Sequence, residues 1–195
     1  LNLRSMLRKL LEFIIDSVQT IVFALSLFVL GYLFIAQPNK ISGSSMLPNF
    51  ENGELLLTEK ISYRFTEPKR GDVVIFKAPA TEPCAEDECE YIKRVIGLPG
   101  EEVKVEENHI FINGKRLDED YLFPNVVIEG GNFLQEGKAF LIPSDSYIVL
   151  GDNRPHSRDS REFGSINKQS IVGKAFVRYW PLKAFGLIPE PTYNL

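Results

Sequence analysis

Three short stretches of this chain gather the side chains that could carry out covalent chemistry. Ser42-Gly43-Ser44-Ser45-Met46-Leu47-Pro48 sets hydroxyls on a turn of small residues. Tyr91-Ile92-Lys93-Arg94-Val95-Ile96 sets an amine among apolar neighbours. GDNRPHSRDSR, residues 151–161, is a polar loop that holds Asp152, His156, Ser157, Asp159 and Arg161. Such a polar loop rarely exists only to turn a chain. A serine hydroxyl is inert until a base takes its proton. Small residues ahead of Ser45 let a substrate backbone approach, and Pro48 stiffens the turn that follows. The plain alternative is a Ser-rich connecting turn.

Lys93 is the more telling residue. In a strand, Tyr91 and Val95 share its side while Ile92 and Ile96 cover the other. Burial there disfavours the ammonium and lowers the pKa, from the ordinary ~10.4 toward the ~7–8 that suits a general base. The shift costs about 3–4 kcal/mol, which a folded domain absorbs. The plain alternative is a lysine lying along an edge strand with its head in water. The polar loop also supplies a rival base, since Ser45 with His156 and a loop carboxylate would form a triad. His109, in the HIFING segment, reads as structural.

These residues need elements to position them. Residues 17–39 contain no charge, and 18–36 (VQTIVFALSLFVLGYLFIA) are apolar on every side. About 20 such residues span a bilayer core as a helix. A cleavable leader has a shorter apolar run, ~7–15 residues, closed by small residues; here the exit is Phe34-Ile35-Ala36-Gln37. A buried core helix would need a long partner helix, and the sequence offers none. Arg4, Arg8 and Lys9 precede the run and only Lys40 closely follows it. The positive-inside rule then predicts a single-pass protein of the cell membrane, with 1–12 cytoplasmic, 13–37 as the transmembrane anchor and 38–195 as the extracytoplasmic domain.

Beyond the anchor, short runs rich in Val, Ile, Phe and Tyr alternate with turn residues, which predicts a mainly β domain. Strands are expected at 54–58, 72–77, 91–97, 102–105, 109–112, 139–142, 146–150 and 171–180, with Asn113-Gly114 closing a hairpin. Residues 118–138 read as a loop-rich insertion, and the Pro-rich tail after Trp180 as an irregular end. A net charge of −4 over 195 residues argues against nucleic acid as a partner. Cys84 and Cys89, in the acidic TEPCAEDECE loop, suit a disulfide in an oxidising compartment, or else stay free thiols. No histidine lies close enough in sequence to complete a metal set with them, so neither metal nor cofactor is expected.

Taken together and in order, these stretches resemble bacterial type I signal peptidases. The likeness rests on GSSMLP after the anchor, RGDVVIF at 70–76, YIKRVIGLPGE at 91–101 and GDNRPHSRDSR at 151–161. It implies an antiparallel protease of coiled β-sheets. Ser45 would be the nucleophile, Lys93 the general base, and Ser157 the hydroxyl that orients that lysine. Asp159 and Arg161 would brace the site, with Asp152 beside them. Some members carry a serine two residues before the nucleophile to help hold the oxyanion, and here Gly43 stands there. The Ser45 backbone N–H remains one donor, and the second would come from Gly43 or Ser44. The implied substrates are signal peptides of exported preproteins, met at the lipid surface. Ser45 follows Ala36 by nine residues, at most ~32 Å of chain. Substrates of this kind share small residues before the scissile bond, so shallow apolar pockets that admit Ala are expected. Two other readings compete: a self-cleaving serine–lysine repressor, against which the apolar run and acidic charge weigh, and a tethered β domain with a non-functional site.

Overall fold

The structure, a computed structural model, describes residues 3–83 and 89–195. It opens with a 32-residue helix, α1 (Leu3–Phe34). No proline interrupts this stretch, and its apolar side chains point outward on every face: Phe13, Phe23 and Phe28 are 69%, 66% and 71% exposed. By length and composition α1 can cross a membrane. The hydroxyls of Ser17, Thr20 and Ser26 donate to carbonyls one turn back, so these three groups are satisfied inside the helix.

Only Ile35 separates α1 from β1 (Ala36–Lys40). The junction is held from both sides. Ile35 N–H donates to the Gly31 carbonyl at 2.8 Å, and Lys60 N–H donates to the Ile35 carbonyl at 2.9 Å. The Lys60 ammonium lies 5.8 Å from the Tyr32 ring centre and the Arg64 guanidinium 5.9 Å from that of Phe34.

The remaining elements are β2 (Leu55–Glu59), a single turn α2 (Ser62–Phe65), β3 (Val73–Lys77), β4 (Glu90–Gly97), β5 (Glu102–Glu106), β6 (His109–Ile112), β7 (Lys115–Arg116), β8 (Phe140–Leu141), β9 (Ser146–Leu150), a turn α3 (Ser160–Phe163), β10 (Ile166–Asn167), β11 (Ile171–Trp180) and β12 (Gly186–Leu187). The fold is mainly β, as expected, and the strand pairs described are antiparallel. The larger sheet runs β1-β2-β11-β3-β4-β9-β10, with β12 added to β11; the smaller runs β7-β6-β5-β8. Every strand predicted from alternation is present, with ends moved by no more than one residue. Asn113 and Gly114 both take positive φ, 51° and 78°, which a tight hairpin between β6 and β7 requires. Among the described residues, 118–138 hold no helix or strand.

Three apolar clusters meet along β4. Ile96 joins Val103, Val105, Ile110 and Ile112 under the smaller sheet. Val95 joins Val74, Phe76, Tyr147 and Val149. Ile92 borders Ile41, Met46, Phe50 and Leu56, beneath the β1–β2 loop. Burying a side chain such as Met46 or Phe50 is worth about 1.5–3 kcal/mol, so this loop is seated rather than loose. Bulges in β11 between Ala175 and Val177, and between Arg178 and Trp180, bend the larger sheet. The free edge of β1 comes round to face the start of β4, where Gln37 Nε2 and Asn39 Nδ2 donate to Glu90 Oε2 at 3.3 and 3.1 Å.

Candidate active site

Ser45 sits in the β1–β2 loop, and other segments hold its backbone. Met46, the next residue, is buried, which fixes the turn from below. Asn153 grips the loop twice: its backbone N–H donates to the Ser45 carbonyl, and its side-chain amide to the Ser44 carbonyl, both at 3.0 Å. The Gly43 N–H is already committed to Asn52 Oδ1 at 3.0 Å. That hydrogen bond occupies one of the two groups expected to serve as a second oxyanion donor.

Lys93 reaches Ser45 from β4. Its Nζ lies 2.8 Å from Ser45 Oγ and donates to the Ile92 carbonyl at 2.9 Å. Lys93 is only 5% exposed. Burial penalises the ammonium and lowers its pKa from 10.5 to about 8, against the carboxylates of Asp159 and Asp152, which pull it upward. The reading of Lys93 as a lysine with its head in water is therefore set aside. A neutral amine has one lone pair, and the Ile92 carbonyl orients it by taking one of the two N–H bonds. The lone pair is then free for the Ser45 hydroxyl.

The polar loop builds the back wall. Arg94, next to Lys93 on β4, points to the opposite face of the sheet. There it forms a two-pronged pair with Asp152, Nε to Oδ1 at 2.8 Å and Nη2 to Oδ2 at 2.6 Å, both residues buried. Its Nη1 donates to the Gly71 carbonyl at 2.9 Å. Asn49, four residues beyond Ser45, donates to Asp152 Oδ2 at 2.8 Å and to the Tyr121 carbonyl at 2.9 Å. Asp159 caps α3 through the Arg161 N–H, pairs with the Arg161 guanidinium at 2.9 Å and accepts the Gly151 N–H at 3.1 Å. Asp152, Asp159 and Arg161 thus fix the frame on which Ser45 and Lys93 meet. Sequence reasoning passed over Arg94 and Asn153. The signal was available, because each adjoins a residue already singled out and strand or turn geometry sends it to the partner face.

Ser157 is placed differently from the expectation. Its Oγ is buried without a hydrogen-bond partner among the described residues, so no hydrogen bond orients Lys93 from that side; the Ile92 carbonyl does so instead. His156 is exposed on a short 3-10 turn. No hydrogen bond joins it to Ser45 among the described residues, so the structure does not assemble the triad. His109 is tied locally, its Nδ1 lying 2.6 Å from the Glu107 carbonyl oxygen. Cys89 is disulfide-bonded, while Cys84, the partner proposed for it, lies outside the described residues.

Gly151 packs closely under the dyad. A methyl group on it would lie 2.5 Å from the Ser45 carbonyl oxygen and closer still to Ser157 Oγ. Gly151→Ala is therefore expected to displace Ser157 and, with it or instead of it, the serine loop from its place beside the lysine. Because a displacement of about 1 Å costs up to ~100-fold in rate, acylation of Ser45 by a serine-reactive probe is expected to slow by about that factor.

A cleft of about 360 Å³ opens over Ser45 and Lys93, lined by Ile41, Leu56, Ile75, Tyr91 and Ile92 among others. Two strand edges flank it. One is the outer edge of β1, leading into Ser42; the other belongs to residues 90–93 of β4, because β9 pairs with that strand only from Arg94 onward. Among the described residues, no group of His, Cys, Asp or Glu side chains is arranged to hold a metal ion.

Residues 14–180 match the family model described as "Signal peptidase, peptidase S26". A probable signal peptidase I-2 of Synechocystis sp. is 38% identical over 172 residues, covering 88% of this chain and 76% of its own length. A signal peptidase I of Leptolyngbya laminosa is 39% identical over 184 residues, 92% of this chain and 87% of that one. Signal peptidase IB of Staphylococcus aureus is 37% identical over 202 residues, 97% of this chain and 100% of that one. A seated serine, a desolvated lysine within hydrogen-bond reach and a cleft with open strand edges agree with these matches: the chain belongs to the signal peptidase family, peptidase S26.

Proposed function

We propose that this chain is a membrane-anchored serine endopeptidase that removes N-terminal signal peptides from exported proteins, with Ser45 as nucleophile and Lys93 as general base. The observation that carries this reading is the 2.8 Å approach of Nζ to Oγ by an amine whose pKa burial lowers to about 8. Family membership supports the substrate class. α1 supplies the crossing within residues 13–37; residues 1–12 stay in the cytoplasm and the β domain works on the outer side.

The steps follow from the groups present. Lys93 Nζ takes the Ser45 proton as Oγ attacks the carbonyl carbon of the scissile bond. The oxyanion is received by the Ser45 backbone N–H, with Ser44 as the second donor. Collapse breaks the C–N bond, and the leaving amine, the new N-terminus of the mature protein, takes the proton from Lys93. A water then gives a proton to the same lysine and attacks the ester. The signal peptide leaves with a free carboxylate and Ser45 regains its hydroxyl. The chemistry needs no redox partner and no cofactor.

The substrate binds as an extended segment between the two strand edges, so main-chain hydrogen bonds supply affinity and side-chain pockets supply selectivity. Ile41, Leu56, Ile75 and Ile92 line the cleft and leave room for small side chains next to the cut.

The test is direct. The detergent-solubilised protein is incubated with an exported precursor and the new N-terminus is sequenced; cleavage at a site other than the signal-peptide junction, or none, refutes the function. The same assay reads the base. Below a pH of about 8, Lys93 keeps its own proton and cannot accept that of Ser45. The expected kcat/KM is flat above that value and falls about tenfold per pH unit beneath it. A profile that breaks instead near pH ~6.5 would identify a histidine base.

A further inference from the structure

The chain beyond β12 does not trail away from the molecule. Ile188 N–H donates to the Phe176 carbonyl, and its side chain borders the cluster that seats Met46 and Phe50. Glu190 pairs with Lys174 at 2.6 Å, and Lys174 pairs with buried Asp72 at 2.7 Å. Pro191 and Tyr193 close on Gly71 so tightly that a methyl group there would meet both at 3.1 Å. Gly71 is the residue whose carbonyl receives Arg94 Nη1. The Tyr193 ring meets Tyr121 edge to face at 6.3 Å, and Arg94 stacks on the same Tyr121 at 4.4 Å. Asn194 then binds the Asp118 N–H and the Arg116 carbonyl beside the smaller sheet. These residues follow the 14–180 span matched by the family model.

We propose that this C-terminal segment is a strap across the back of the active site, and that Tyr193 is a positioning residue that acts through Tyr121 and Arg94. The path is continuous. Tyr193 packs on Tyr121. Tyr121 backs the Arg94 guanidinium and, through its carbonyl, holds Asn49. Arg94 and Asn49 both end on Asp152. Asp152 lies between Gly151 and Asn153, and Asn153 holds the Ser45 carbonyl. Lys93 adjoins Arg94 on one strand, so the stack bears on both members of the dyad from behind. The cleft lies on the other face and shares no residue with the strap. The strap therefore governs how well Oγ and Nζ are aligned, and leaves substrate binding alone.

The inference rests on the Ser45–Lys93 reading, and the experiment separates the two. Active sites of the full-length protein are first titrated with an acylating probe; if the parent fails to titrate, the dyad reading is lost irrespective of the strap. With the parent titrating, Tyr193→Ala is expected to lower kcat per titrated site about tenfold, within the range that sub-ångström to ångström misplacement produces, while KM for a precursor peptide moves less than about twofold. Tyr193→Phe keeps the ring contact and is expected to restore kcat. Counting titrated sites removes misfolded protein from the comparison. A parental kcat in Tyr193→Ala, a loss carried by KM, or a loss that Phe does not restore overturns the proposal.

Discussion

Ser45→Ala and Lys93→Ala each lower precursor processing by ~10,000-fold or more, as expected when one member of an interdependent nucleophile–base pair is removed. Lys93→Arg is equally inactive, because a guanidinium does not give up its proton in a protein. His156→Ala, by contrast, retains the parental rate, since that ring lies exposed on its turn. Processing at the parental rate by either alanine variant ends the dyad assignment. Stability should move the opposite way. The folded chain holds the Lys93 pKa at about 8 rather than 10.5, so the unfolded chain binds more protons between those values and folding is penalised fully below them. Lys93→Met removes the penalty. It is therefore expected to be inactive yet more stable at neutral pH, by up to about 3 kcal/mol, as read by chemical denaturation.

Arg94→Ala is expected to cost stability first, on top of any loss of alignment at the site. Asp152 and Arg94 are 0% and 3% exposed at their side chains. Truncating the arginine leaves a carboxylate in the interior with, among the described residues, the Asn49 amide as its remaining side-chain donor. Breaking such a pair costs about 3–5 kcal/mol, a large part of the ~5–15 kcal/mol that holds a domain together. The expected drop in melting temperature is on the order of 10 °C. Replacing both partners, as in Arg94→Met with Asp152→Leu, should recover much of the loss, because the stranded charge is gone. Arg8→Ala serves as the contrast: its pair with Glu12 is 82% and 55% exposed and should shift stability by less than about 1 kcal/mol. An Arg94→Ala protein as stable as the parent would show that the pair is not what holds the polar loop.

Much of this was legible before any coordinates. Alternation located the long strands because each has one face in a core, as in β5, where Val103 and Val105 are buried and Glu102 is exposed. The elements that escaped notice are those without that pattern. β1 reads AQPNK, polar and carrying Pro38, which only an edge strand tolerates; its pairing with β2 sets its conformation, not its composition. β10 and β12 are two residues each, too short for any period. Lys93 was conspicuous because a lysine flanked by apolar residues is costly, while its pairing with Ser45 was implied only by the resemblance. Its supports were harder to read, because a strand sends neighbours to opposite faces. Lys93 and Arg94 adjoin in sequence yet serve different walls. Ser157 shows the reverse case: the resemblance gave it a role, while its hydroxyl lies buried without a hydrogen-bond partner among the described residues.

The single residue between α1 and β1 has a mechanical consequence. A protease on a supple tether would sample many attitudes and would cut wherever a loop drifted by. Here the rod and the plate are welded: Ile35 is bonded to its neighbours on both sides, and two cations sit against the last aromatic rings of the helix. Any lean of the rod, such as a thinner or thicker lipid layer imposes, is passed on to the blade as a change of height and angle. On the function proposed above, the bilayer would then set how far along a translocating chain the incision falls.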